Sequence, residues 1–337
     1  MKINNINLTV IFISAFLFLI FFFNAGQQPV SDNDASRLAG ILAIVQNNKL
    51  SIDETPYNKI GDRIVYKNIS YSSKPPTLHV LAGFVIKGLF QSIKPVLANN
   101  YVAVYKISTI ITNTIPLILI YILFYYLLRN PLNLPEIKSN IFSLLLIWGT
   151  LLISYSKYLT NHIFESLLQL FLFLILIRFK SNKLICILIG ILLSAIFAVD
   201  ITNGIITVPV TVLWLTHYKK VKLSDLIWIF LGALPLLFTH FYLSYIQFGD
   251  LLPPQLFPET YLSYEGSKWI GSTQGFEALN HPIPIRLFNY TFGTHGLFLY
   301  QPILLIPFLI KKNWKNPLWI YTAAIVLGYI LFNTIMQ

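Results

Sequence analysis

The sequence predicts an all-α, polytopic membrane fold: a bundle of about nine transmembrane helices with two long outer segments. Three observations predict it. The 337 residues are 55% hydrophobic and only 11% charged, where a soluble domain carries about 25% charged residues. The apolar residues come in long blocks rather than spaced stripes. The basic residues collect in alternate short loops, as they do on the cytoplasmic side of a multi-pass protein.

The spans are drawn on about 20 apolar residues per crossing. The first is 8–24. Its apolar run is long for a signal peptide and no small-x-small cleavage site comes after it, so a retained helix is expected. A polar outer segment, 25–101, comes next. Spans are then expected at 103–128, 140–156, 163–178, 183–199, 201–216 and 225–247. The fifth and sixth nearly touch around Asp200, as a tight hairpin would. A second outer segment, 248–295, precedes spans at 297–310 and 317–333.

Loop charges give the direction. Arg129 with Lys138, then Arg178, Lys180 and Lys183, then Lys219, Lys220 and Lys222, and finally Lys311, Lys312 and Lys315 mark one side. The intervening short loops carry only Lys157. The N-terminus is therefore expected inside and both long polar segments outside. This placement accounts for much of the net charge of +11 without a nucleic-acid partner. The lone cysteine, Cys186, excludes an internal disulfide framework and a Cys-based metal site.

Within 25–101, residues 34–45 read as an amphipathic helix with an acidic start, capped by Asp34 or Asp32. Leu50 to Ile69 reads as short extended pieces with turns. Tyr71-Ser72-Ser73-Lys74-Pro75-Pro76 is a rigid turn, and Leu78 to Phe90 an interfacial helix carrying His79 and Lys87. No internal repeat stands out.

Candidate chemistry gathers on the outer face. Ionisable groups at membrane depth are costly and usually face a cavity. Asp34 is the sharpest candidate, as a general base or as a helix cap. Arg37, one turn on, suits either a phosphate or a surface ion pair. His162 and Glu165 share a helix face, next to Asn161, and with Asp34 are weak metal candidates. Asp200 reads as a substrate contact or an ion-pair partner. Lys74 reads as a phosphate contact or an interfacial lysine. Glu259, Glu265, Lys268, Trp269, His281, Arg286 and His295 lie in the second outer segment, where Gly293 and Gly296 permit close backbone approach beside His295. Trp269 reads as a sugar-stacking ring or an interface anchor. His240 reads as a buried histidine, and His217 as a cytoplasmic one without a catalytic role.

These residues resemble, in order and local motif, the polyprenyl-phosphate-sugar-dependent glycosyltransferases of the GT-C superfamily. The resemblance is especially to bacterial relatives of protein O-mannosyltransferases and aminoarabinose transferases. Asp34-Ala35-Ser36-Arg37-Leu38-Ala39 is similar to the family's acidic-x-x-Arg-aromatic-Ala start of the first outer helix. Tyr71 to Leu78 looks like its Pro-Pro turn before an interfacial helix. Thr160-Asn161-His162 stands where the family places a second polar site. Tyr264-Glu265-Gly266-Ser267-Lys268-Trp269 and Gly293-Thr294-His295-Gly296-Leu297-Phe298, with Pro302 beyond, resemble motifs of a bacterial subgroup.

The resemblance implies one transmembrane catalytic domain over 1–337. It implies an inverting transfer from a polyprenyl-phosphate sugar to a hydroxyl of a glycan, lipid or protein acceptor, at the outer face of a bacterial inner membrane. It also implies Asp34 as base, with Arg37, Lys74 and Arg286 steadying the leaving phosphate and Asn161, His162, Asp200, Trp269 and His295 binding substrate. No cofactor is implied beyond the donor lipid, and a divalent metal is left open. Two departures stand out: Ala35 where many relatives have a second acid, and Asn161-His162 in place of an aspartate. The chain ends at Met336-Gln337, directly after the ninth expected span, where such enzymes have more, so a truncated member is expected. The competing expectation is a lipid-linked-sugar transporter or flippase without catalysis, which places polar groups near the midplane rather than at outer helix ends.

Overall fold

The computed structural model describes residues 8–89, 100–254, 257–261, 264–267, 282–293, 296–301, 304 and 316–336. Thirteen helices and one small hairpin make up the described residues, counting the continuous helix Tyr101–Arg129 as one. In order these are α1 (Leu8–Asn24), α2 (Asp32–Asn47), β1 (Arg63–Tyr66), β2 (Ile69–Ser72), α3 (Pro76–Leu89) and α4 (Tyr101–Arg129). Next come α5 (Glu136–Trp148), α6 (Leu152–Tyr155), α7 (His162–Ile177), α8 (Lys183–Val199), α9 (Ile201–Tyr218) and α10 (Leu223–Phe248). The last three are α11 (Ile283–Thr291), α12 (Leu297–Tyr300) and α13 (Pro317–Met336).

Among the described residues, three helices are long and apolar enough to cross a bilayer: α4, α10 and residues Pro317–Ile335 of α13, with 29, 26 and 19 residues. The expectation of about nine spans is thus corrected to a few. Helices α1, α7 and α8 have 17, 16 and 17 residues. At 1.5 Å per residue each reaches about 25 Å, short of a hydrocarbon core of about 30 Å. Helix α9 is 18 residues long, but Thr202, Asn203, Thr207 and Thr211 interrupt its apolar run. The span expected at 140–156 breaks at Gly149, whose N–H closes on the Leu145 carbonyl at 2.8 Å. Helix α12 stops at Tyr300, and most of 302–310 lies outside the described residues. Leu8, Phe12, Leu184, Leu223 and Phe238 stay exposed. An apolar surface on that scale needs lipid or another apolar cover. The chain is a membrane protein with a few spans, in contact with the bilayer.

The chain divides into two compact units: residues 1–171 with 238–269, and residues 172–237 with 270–337. In the first, α2 packs on α3 and α4 through Leu38, Ile41, Leu42 and Val45 against Ala82, Ile86, Val104 and Tyr105. A Cβ on Gly40 would stand 2.8 Å from the His79 ring, so only glycine lets the two helices approach so closely. A second cluster joins α1 to α4, α5 and α7 through Leu17, Phe21, Leu117, Tyr121, Ile147 and Ile163. The antiparallel hairpin pairs Arg63 with Ser72 and Tyr66 with Ile69. Its tip residues Lys67 and Asn68 have φ of 49° and 64°, the pattern of a two-residue turn whose twist suits the flanking strands. Tyr71 packs edge-on against Phe248 at the end of α10, at 5.4 Å.

In the second unit, α8 and α9 form the expected hairpin about Asp200. Helices α8 and α10 cross backbone to backbone. A Cβ on Gly190 would lie 1.9 Å from the Ile229 carbonyl oxygen, and one on Gly232 2.2 Å from that of Ile187. Small residues at such a crossing are how helices pack where no hydrophobic effect drives them together. Helix α13 lies against α9 and α11.

Candidate functional site

The site is built from the start of α2. Ser31 stands in extended backbone as the N-cap, and its hydroxyl accepts the Asp34 N–H at 3.2 Å. The cap is thus Ser31, not Asp34 or Asp32. Asp34 reaches back and accepts the Val30 N–H at 3.2 Å, a reciprocal arrangement akin to a capping box. Asp32 is exposed, as a solvated neighbour should be.

Asp34 is 2% exposed. Its Oδ2 also accepts the Tyr105 hydroxyl at 2.7 Å, and its Oδ1 accepts the Leu159 N–H at 3.0 Å. One carboxylate therefore ties α2 to α4 and to the segment before α7. Burial pushes its pKa above the ordinary carboxylate value, although Tyr105, the two backbone amides and the Arg37 charge pull the other way. Tyr57, packed beside the same cluster, is also pushed up, by burial first and then by the Asp34 charge.

Arg37 donates to the Asn161 side-chain oxygen at 2.6 Å and to the Asn33 carbonyl at 3.3 Å, and also to the Asn33 side chain. The structure thus joins Asp34, Arg37 and Asn161 within one unit across more than 120 residues of sequence. Lys74 is held nearby in the chain by another route. Its ammonium lies 2.6 Å from the fully buried Asp62 carboxylate. Asp62 also accepts the Ser73 hydroxyl at 2.7 Å, and Ser36 of α2 sits 3.1 Å from the Ser72 hydroxyl and accepts the Ser73 N–H at 3.1 Å. The Ser-Ser-Lys-Pro-Pro turn is therefore docked on α2 through Ser36.

The segment 155–161 is fixed from several sides. Helix α4 contains a π-turn at Ile110–Thr114. Within it the Asn113 amide donates to the Tyr155 carbonyl at 2.9 Å and also to the Tyr158 carbonyl. The Gly26 N–H donates to the Lys157 carbonyl at 3.1 Å. These anchors set the Leu159 amide on Asp34 and Asn161 on Arg37.

His162 and Glu165 open α7, with the His162 ring 4.7 Å from that of Tyr155 and the Glu165 side chain buried. In the second unit Asp200 caps α9, accepting the Asn203 N–H at 3.3 Å. Arg286 of α11 is buried and donates to the Ile335 carbonyl at 3.4 Å, where a cation complements the C-terminal end of α13. Glu259 and Glu265 are exposed. Lys268, Trp269, His281 and His295 lie outside the described residues.

Four participants carry no local sequence signal. Tyr105 and Asp62 look like ordinary residues of a span and a loop. Asn113 looks like a polar interruption of a span. His79 looks like one polar residue on an apolar helix, yet it is 3% exposed and neither ring nitrogen has a hydrogen-bond partner among the described residues. Burial, with a further push from the Arg37 charge, lowers its pKa to about 3. Tyr264 of the second long polar segment anchors to the hairpin. Its hydroxyl lies 2.8 Å from the Gly61 carbonyl, and the Arg63 guanidinium covers its ring at 4.2 Å. No family model matches the chain, and neither a curated protein nor a solved structure does.

Proposed function

We propose that the chain is a membrane glycosyltransferase that moves a sugar from a polyprenyl-phosphate donor to an acceptor hydroxyl on the outer side of the membrane, with inversion. The observation that carries this reading is the buried Asp34 carboxylate with raised proton affinity, beside an Arg37 guanidinium seated on Asn161. A carboxylate that binds a proton more tightly is a stronger base at neutral pH. Asp34 takes the proton of the acceptor hydroxyl. The hydroxyl oxygen forms its bond to the anomeric carbon, and the bond from that carbon to the lipid phosphate breaks, leaving its electron pair on the phosphate. Arg37 offers the planar donor pair that suits such a phosphate. The Asp34 oxygens face N–H and O–H donors, which favour the ionised carboxylate that a base must be. In this reading residues 25–101 and 248–295 face the exterior, at the N-terminal end of α4 and the C-terminal end of α10.

The π-turn in α4 is the feature a transporter would share, since transporters break their helices at the midplane. Its Asn113 is occupied with the Tyr155 and Tyr158 carbonyls, which favours the enzyme.

The test is Asp34→Asn in reconstituted protein, with transfer from defined polyprenyl-phosphate sugars to glycan, lipid and peptide acceptors monitored by mass spectrometry. Asn keeps an acceptor for the Leu159 amide but gives up the oxygen that Val30 and Tyr105 use, so elution volume and circular dichroism are compared alongside transfer. Transfer falls by about 100-fold or more, the usual share of a general base. Undiminished transfer removes Asp34 as the base. No transfer by the unaltered chain from any donor removes the enzyme.

A further inference from the structure

In the second unit, between α9 and α13, lies a groove of about 590 Å³. That is within the range of ligand sites. Val210, Leu213 and Trp214 form one wall, with Ile320, Tyr321 and Ala324 on the other. The polar handles of this apolar floor are already satisfied. The Trp214 indole N–H donates to the Pro317 carbonyl at 2.8 Å, and the Tyr321 hydroxyl lies 3.1 Å from that of Thr211. The walls are thus held in place by bonds that leave their apolar faces on the groove.

One end of the groove has different chemistry. His217 and Lys220 line it there, both exposed. Lys219 lies over the Trp214 ring at 5.3 Å. Lys220 sits in left-handed backbone just past the end of α9, at φ 51°. The nearby helix end is itself capped, because the Leu215 carbonyl takes the Lys219 N–H at 3.1 Å and the Val221 N–H at 3.4 Å. Among the described residues, no acidic side chain lines the groove. The basic run Lys219, Lys220 and Lys222 lies just before the spanning helix α10 and the acidic Asp250 just after it, so the positive-inside bias puts this end of the groove at the cytoplasmic leaflet, where anionic lipids concentrate.

An apolar trough about three turns long with a cationic mouth matches one class of molecule abundant around the protein. We infer that the groove is a binding site for one anionic glycerophospholipid of the bilayer. An acyl chain lies along Leu213, Trp214 and Ala324, and the phosphate meets Lys220 and His217. This site is independent of the sugar-transfer reading.

The experiment uses the full chain in nanodiscs of phosphatidylcholine with one fifth phosphatidylglycerol. The protein is extracted mildly and its retained lipids are weighed by native mass spectrometry. One phosphatidylglycerol per chain is expected, enriched over its share in the disc. Lys220→Glu, at an exposed position, lowers that enrichment by about five-fold or more, the effect of one basic residue at a membrane surface. Ala324→Phe fills the groove and removes retention of both lipids, while an unchanged elution volume and circular dichroism spectrum show the fold intact. Lipid retained at the bulk ratio and indifferent to both substitutions overturns the inference. So does a dimer that dissociates on Ala324→Phe, which would assign the groove to a second copy of the chain.

Discussion

His79 and Asp34 are two buried titratable side chains of the same unit, and burial moves them in opposite directions from their ordinary values. For His79 the unfolded chain takes up a proton as pH falls through about 6.5, while the folded chain does not until about 3. Its contribution is whole above the unfolded value and is lost as pH falls, at up to about 1.4 kcal/mol per unit. Asp34, with its folded value raised, holds an extra proton in the folded state just above its ordinary range, so its contribution falls as pH rises there. The two slopes oppose each other in acid. His79→Leu removes one of them, together with two buried ring nitrogens that lack partners among the described residues. Stability at neutral pH should therefore hold or rise by about 1 kcal/mol, and acid resistance should increase. Thermal unfolding in mild detergent between pH 4 and 8 measures this, and an unchanged acid slope would refute it. At this scale the sequence was only partly legible. The acidic start of α2 was read from the sequence, but its cap is Ser31 and not Asp34 or Asp32. The burial of Asp34 depends on Tyr105 and Leu159, which lie 71 and 125 residues away, and nothing local announces them.

At the scale of elements, α2 and the hairpin α8–α9 stand close to where hydrophobic pattern placed them. The Pro-Pro turn also leads into α3 as expected. What pattern could not supply was the π-turn of α4, because apolar periodicity is blind to a single extra residue per turn. The turn's role can be tested directly. Asn113→Leu deprives the Tyr155 and Tyr158 carbonyls of their donor, at a cost of about 1–3 kcal/mol. Hydrogen exchange should then quicken at residues 156–161, and at the Leu159 amide above all. Peptides from the α2–α3 contact should keep their protection. An unaltered exchange rate at Leu159 would show that α4 does not set this segment.

At the scale of the molecule, composition announced the membrane and the all-α class, and the structure supports both. It overcounted the crossings because apolar runs of 16–17 residues pass a hydropathy reading yet fall short of a bilayer's thickness. Direction can be measured cleanly, since Cys186 is fully buried. A membrane-impermeant maleimide added to intact cells should label Lys49→Cys at once, and Lys222→Cys only after permeabilisation. The reverse order would invert the orientation. The π-turn reaches this scale too, as a matter of chain length. A π-turn is one residue inserted into an α-helix and absorbed without rotating the turns beyond it, whereas each residue otherwise turns the helix by about 100°. A relative one residue shorter between positions 109 and 115 would keep Tyr105 and Tyr121 facing the same neighbours and give up the Asn113 anchor alone. The trace such kinship leaves is a single-residue gap in the middle of α4.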